Sequence, residues 1–325
     1  MGGARQPETA TFPPDRYYCM LDEMPLHLLP RAARRRLQEA PERDLVLNPE
    51  CTLQSGADVP DGLGARPDLL SGFALQGTIA WVRDSDHGTL LPFWLGTAFE
   101  TVLRDLRPNE PIPSSIPDAT RGLLAGAGIL IPSQGTLPGR AESMRHAATQ
   151  FAAKGYAPLR ALIHPFHVAA LRRYYRHQIR TGAIHLGDGQ STRRYIAHNE
   201  PVARFFHHLL TPALSEVAGK PLKPSYVYLA SYLAGAELKK HTDREQCDYS
   251  ITFCLDYSPE PALATPWPIR LQTRGGTVTV YQALGDGLAY RGTQLPHYRD
   301  RLGEGQTSTS IFFHYVTEDF AGSLD

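Results

Sequence analysis

From Ser225 onward, apolar and polar residues alternate in short runs separated by turns: SYVYLASYL, YSITFCLDYS, PIRLQT, TVTVYQAL, LAYRG and TSTSIFFHYV. A period of two marks strands whose side chains point to opposite faces. Several such strands at this spacing predict a sandwich or barrel. Upstream the period lengthens. Ala141 to Lys154 reads as a helix that Gly155 ends, Tyr156 to Ile163 as a strand, and Phe166 to Ile179 as a helix opened by Pro165. In that last helix Val168, Leu171 and Tyr175 share one face, with Arg172, Arg173 and Arg176 on the other. A further helix is expected over Glu200 to Val217.

The first part of the chain has a different texture. Residues 1 to 70 are rich in Pro, Arg and Gly, with one helix expected over Pro30 to Ala40. Residues 72 to 83 suggest a strand or hairpin, Leu95 to Leu106 a helix, and Asp118 the cap of another, closed by the apolar run Leu123 to Ile131. Pro132 to Gly139 is the best linker. The expected division is therefore 1–135, an accessory α/β or winged-helix-like region for packing or peptide recognition, and 141–325, the β-rich domain with flanking helices. The fold class expected is α+β.

Composition removes several function classes. Lys plus Arg and Asp plus Glu are equal at 33 each, so no general field draws nucleic acid or an acidic membrane. The longest apolar stretch, Leu123 to Pro132, is too short to cross a bilayer. The first twenty residues show no secretory pattern, and the four cysteines form no C-x-x-C pair. Both point to a cytoplasmic protein with free thiols.

The chemistry concentrates in His241-Thr242-Asp243 and His297. In an extended segment, H-x-D sets two ligands on one side, and a later strand can bring the third. Two imidazoles and one carboxylate on one face of a metal leave other positions open, which suits non-haem Fe(II). Around these residues stand Tyr232, Gly235, Thr252 with Leu255, and Gly285-Asp286. This ordered set, over about Tyr156 to Val316, resembles the 2-oxoglutarate and Fe(II)-dependent dioxygenases, in particular the prolyl 4-hydroxylase-like branch.

That resemblance implies a double-stranded β-helix (jelly-roll) core and an Fe(II) centre at His241, Asp243 and His297. It implies 2-oxoglutarate and O2 as co-substrates, with ascorbate as a candidate auxiliary reductant. Tyr232 and Thr252 would contact 2-oxoglutarate. The implied reaction is hydroxylation of an unactivated C–H bond in an amino acid, peptide or protein. A carboxylate at position 243 fits hydroxylation, since halogenating relatives carry a small residue there. One element departs from the family pattern. The cation that anchors the distal carboxylate of 2-oxoglutarate is absent from Gly305-Gln306-Thr307-Ser308. Arg299, two residues from His297, is the first replacement, followed by Arg291 and Arg270. Arg244 and Glu245 are expected to form a local ion pair, His314 to be a hydrogen-bonded core histidine, and Cys247 to serve packing. The competing readings are a non-catalytic metal-binding jelly-roll sensor or binding protein, and a zinc hydrolase.

Overall fold

The computed structural model describes residues 12–39, 44–55, 60, 67–83, 89–108, 110–133, 140–189 and 191–325. Its first part contains α1 (Arg31–Arg36), β1 (Leu45–Leu47), β2 (Cys51–Ser55), β3 (Thr78–Arg83) and β4 (Leu90–Leu95). It continues with α2 (Thr97–Arg104), α3 (Asp118–Gly126) and β5 (Leu130–Pro132). Strands β2, β3 and β4 form one antiparallel sheet, and β1 pairs with β5. Of the strand or hairpin expected over residues 72 to 83, the strand is found as β3; its antiparallel partner β4 lies beyond that stretch. The expected helix begins two residues later than Leu95 because that residue completes β4. Asp118 is the first helical residue of α3 and not its cap; Pro117 holds the cap position without a side-chain hydrogen bond. This order mixes helix and strand and does not single out a winged helix. Of the expected linker, residues 134–139 lie outside the described residues.

Next come α4 (Arg140–Lys154), β6 (Tyr156–Leu159), α5 (Pro165–Arg180), β7 (His185–Leu186), β8 (Arg194–His198), α6 (Pro201–Leu209) and α7 (Thr211–Ala218). Gly155, at φ 76°, ends α4 in the left-handed conformation that favours glycine. His164 caps α5 by accepting from the Phe166 N–H at 3.2 Å, with Pro165 in the first turn. The single helix expected over Glu200 to Val217 is two. Pro212 lacks an N–H, so it sits in the first turn of a new helix and does not continue the old one.

The alternating region folds as predicted. It gives β9 (Leu222–Tyr232), β10 (Leu238–His241), β11 (Tyr249–Ser258), β12 (Ile269–Thr273), β13 (Gly276–Val280), β14 (Gly287–Arg291), β15 (His297–Arg299) and β16 (Thr307–Thr317). A seven-stranded sheet runs β6-β14-β11-β16-β9-β8-β7, and a four-stranded sheet runs β10-β15-β12-β13. The two antiparallel sheets form the jelly roll. On β11, Ile251, Phe253 and Leu255 join the large core that includes Phe151 of α4, Leu171 of α5 and Phe206 of α6. The alternate residues face the other sheet: Cys254 shares a cluster with Tyr232, Trp267 and Phe312. Ile269 and Leu271 of the small sheet meet Leu288 and Tyr290 of the large one.

The large core does not stop at residue 140. Tyr17, Phe73 and Trp94 belong to the same buried cluster as Phe206 and Tyr315. The Tyr17 hydroxyl lies 2.7 Å from His167 Nδ1 on α5. The polar face expected for α5 is corrected here. Arg172 is only 1% exposed. Its Nε donates to Asp256 Oδ1 at 2.9 Å, and Arg176 Nε donates to Asp256 Oδ2 at 2.6 Å. A buried guanidinium needs such a partner, because leaving it unpaired after desolvation costs several kcal/mol. Its partner lies far away in sequence, so helical periodicity could not reveal it.

Candidate metal centre

Strand β10 ends at His241, and β15 begins at His297; the register sets these two residues opposite each other. Their ring centroids are 4.3 Å apart. Asp243 lies beyond the strand, so strand alternation does not place it as expected. Instead its N–H donates to the Gly292 carbonyl at 2.9 Å, which returns the carboxylate to the two rings. Asp243 Oδ1 is 3.6 Å from His241 Nε2 and 3.4 Å from His297 Nε2. Bonds of about 2.0–2.2 Å to nitrogen and oxygen set neighbouring ligands about 3 Å apart around one cation. The three side chains therefore fit a single ion after small shifts.

Each ring is aimed by its other nitrogen. His241 Nδ1 donates to the Lys239 carbonyl at 2.8 Å, and His297 Nδ1 to the Leu295 carbonyl at 3.0 Å. Both bonds reach back two residues, and both leave Nε2 turned toward Asp243 and free to ligate a metal. The second carboxylate oxygen, Asp243 Oδ2, accepts from Ser250 Oγ at 3.2 Å. Ser250 Oγ is also 2.8 Å from His314 Nδ1. Burial lowers the His314 pKa to about 4, so this ring is neutral near pH 7. It is the hydrogen-bonded core histidine that was expected, and it adjoins the centre.

Electrostatics in the metal-free chain follow from this geometry. Burial pushes the Asp243 carboxyl up, but hydrogen bonds to His241 and His297 outweigh it and hold it well below the usual carboxylate range. The bond to Asp243 raises the His241 pKa against the opposing effect of burial. A metal requires the neutral ring, so protons compete with it. Metal affinity should fall as pH drops through a midpoint higher than that of an ordinary histidine. Mn(II) titrations between pH ~8 and ~5 check this, and a flat affinity would contradict it. His241's own contribution to the stability of the metal-free fold has the opposite sign. A raised histidine pKa contributes stability that is present at low pH and fades as pH rises through the folded-state value.

Gly292 has no room for a side chain. A Cβ there would run into the Cys247 carbonyl oxygen and Asp243 Oδ2, and would lie 2.9 Å from Ser250 Oγ. Gly292→Ala should displace the carboxylate and weaken metal binding by roughly 10–100-fold, as does the loss of groups that orient a ligand. Equilibrium dialysis against Fe(II) would show it; unchanged affinity would mean that the loop simply moves aside.

At the other end of β15 lies Arg299, 4% exposed. It forms no ion pair with any described carboxylate. Its Nη1 donates to the Trp267 carbonyl at 2.6 Å and its Nη2 to Gln282 Oε1 at 3.1 Å. Its Nε has no partner, and neither does the buried Thr252 Oγ1. Trp267 stacks against the guanidinium at 4.9 Å and contacts Tyr232 at a ring distance of 5.1 Å. Gln282 also donates to the Thr252 carbonyl at 2.9 Å. Desolvation lowers the Arg299 pKa. Tyr232, Trp267 and Arg299 thus share one buried niche, which Gln282 links to the backbone of Thr252.

Other candidates lie elsewhere. Arg291 follows the inward Tyr290 and so points to the outer face of the sheet. There it lies over Phe151 and Tyr249, each 5.6 Å away, apart from the niche. Arg270 Nη2 pairs with Asp300 Oδ2 at 2.7 Å. Arg244 does not pair with Glu245; it donates to the Tyr226 hydroxyl at 3.0 Å. Trp267, Gln282 and Ser250 were not foreseen. A signal for Ser250 existed, since small or polar residues (Ser250, Thr252, Cys254) alternate with Ile251, Phe253 and Leu255. Trp267 and Gln282 lie outside the strands and carry no such mark. No described helix is long and apolar enough to cross a membrane.

No protein-family model matches the chain, and no curated protein matches it in sequence. Solved structures resemble it over about half its length. One is the non-heme alpha ketoglutarate dependent epimerase SnoN from nogalamycin biosynthesis. It is 13% identical, with 55% of this chain and 82% of that chain covered and a TM-score of 0.46. A prolyl-4-hydroxylase from Pseudomonas putida is 15% identical, with 53% and 98% covered and a TM-score of 0.43. HygX from Streptomyces hygroscopicus, with nickel and 2-oxoglutarate bound, is 15% identical, with 54% and 88% covered and a TM-score of 0.43. The functional reading therefore rests on the site itself.

Proposed function

We propose that this protein is an Fe(II)- and 2-oxoglutarate-dependent oxygenase that hydroxylates an unactivated C–H bond of an amino acid, peptide or protein side chain. The observation that carries this reading is the convergence of His241 Nε2, His297 Nε2 and Asp243 Oδ1 within 3.6 Å contacts. The niche around Arg299 supports it. A buried guanidinium without a carboxylate is costly unless a ligand completes it. A dicarboxylate co-substrate has the matching end group, and the unpartnered Thr252 hydroxyl can add a hydrogen bond. A sensor or a purely structural metal gives no reason for that cation.

In this reading His241, Asp243 and His297 hold the metal, and Arg299 with Thr252 and Tyr232 holds the co-substrate. When bound, Fe(II), 2-oxoglutarate and O2 supply the oxidising chemistry, with ascorbate as an auxiliary reductant. The chain's own part is to fix the ligands, balance the charge of the distal carboxylate and keep water from the niche. The substrate class follows from the resemblance of the H-x-D and Gly-Asp elements to the prolyl 4-hydroxylase-like branch. Residues 141–325 would form the oxygenase domain and 1–135 an accessory region in a cytoplasmic enzyme. Purified protein should convert 2-oxoglutarate to succinate only with Fe(II) and O2 together, and faster with a peptide that it hydroxylates. Turnover supported by zinc without oxygen would favour a hydrolase instead.

A further inference from the structure

A second set of metal-ligating atoms shares the same carboxylate. Asp243, Cys247 and His314 each present one donor, and the three atoms lie within 4.8 Å of one another. Cys247 and His314 are both buried, and neither belongs to the triad. The chain itself produces this approach. After Asp243 it makes a single 3-10 turn, Glu245–Cys247, with the Cys247 N–H donating to the Arg244 carbonyl at 2.9 Å. That turn brings the thiol back beside the carboxylate four residues earlier. His314 arrives from β16, opposite Ser250 in the register with β11. Tyr226 Oη, 3.0 Å from Cys247 Sγ, flanks the thiol from β9.

We propose that Asp243, Cys247 and His314 form a second metal site, selective for a soft divalent cation such as zinc or cadmium. The donor set is one sulfur, one nitrogen and one oxygen. Thiolate adds a preference for such cations, whereas carboxylate, carbonyl and water ligands suit hard ones such as magnesium and calcium. Bonds of about 2.0–2.3 Å require the three atoms to close together by about 1 Å from their widest separation. Binding displaces the thiol proton to solvent, because thiolate is the ligating form. Asp243 is common to both sets, so a cation seated here draws the carboxylate away from His241 and His297. A soft cation then inhibits by competing with ferrous iron; that consequence rests on the oxygenase reading, whereas the site does not.

The test is a cadmium titration of the purified, reduced chain, followed by thiolate-to-cadmium charge-transfer absorption in the ultraviolet. Wild type, Cys247→Ser and His241→Ala are compared. One equivalent of the thiolate band is expected in wild type and in His241→Ala, which lacks a triad ligand but keeps the second set intact. Cys247→Ser should lose it. Absence of the band in wild type, or its persistence in Cys247→Ser, overturns the proposal. Should Cys247→Ser fail to fold by circular dichroism, X-ray absorption of zinc-loaded His241→Ala decides. One sulfur in the zinc shell is required, and a shell of nitrogen and oxygen alone overturns the site. Fe(II) binding by wild type, measured separately, reports on the triad, so failure of one reading is not failure of the other.

Discussion

Asp243→Ala should abolish Fe(II) binding and 2-oxoglutarate turnover together while leaving the fold intact. Asp243 is the one anionic group of the proposed centre, and its Oδ1 faces both imidazoles. Without it, two neutral rings remain to hold a dication. Losing even an outer-shell partner typically costs about 10–100-fold in metal affinity, and a directly bound carboxylate costs more. The fold should survive because the Asp243 backbone, through its N–H bond to Gly292, pins the loop and does not depend on the side chain. Equilibrium dialysis with Fe(II), beside a thermal melt of the metal-free protein, checks both halves. Retained metal at wild-type affinity would remove Asp243 from the centre.

Arg299→Met should separate function from stability just as sharply. The guanidinium is buried, hydrogen-bonded only to neutral acceptors, and desolvated enough that its pKa is lowered. Replacing a poorly compensated buried charge by an apolar side chain of similar length is often neutral or stabilising. The melting temperature of the metal-free variant should therefore be close to that of wild type. The co-substrate should behave differently. Removing one partner of a buried charge pair costs about 2–5 kcal/mol, or roughly 30-fold to several thousand-fold in affinity. Wild type with Fe(II) should be stabilised by added 2-oxoglutarate, by about 2.7 kcal/mol at a hundred times its Kd. Arg299→Met should lose that stabilisation at the same concentration. A variant that unfolds without ligand, yet keeps its affinity when folded, would assign Arg299 a packing role.

The two features that could be read in the sequence are both local. Period-two alternation marks β9, β11 and β16 wherever one face packs on helices and the other on a second sheet. H-x-D places an imidazole and a carboxylate so close together that any compact turn keeps them near each other, even though the strand ends at His241. The same parity sets Arg299 two residues from His297 on β15, with both side chains buried. Arg291 is out of phase by a single residue: Tyr290 points inward, so Arg291 points out.

What the sequence hid depends on distant partners. Nothing near Arg172 announces Asp256, so a buried, paired arginine looked like part of a solvated face. Arg244 finds Tyr226 across the fold in preference to the adjacent Glu245. Trp267 and Gln282 reach the niche because the chain around the small sheet brings them beneath Arg299. Tertiary packing also decides that the first part of the chain joins the core of the second, through Tyr17, Phe73 and Trp94.

The most direct measurement is an anaerobic calorimetric titration of 2-oxoglutarate into the purified protein, with and without one equivalent of Fe(II). One molecule should bind per chain when iron is present, and none should bind measurably at the same concentrations when it is absent. Binding that ignores the metal, or no binding in either case, would contradict a ferrous ion held by His241, Asp243 and His297 beside a dicarboxylate on Arg299.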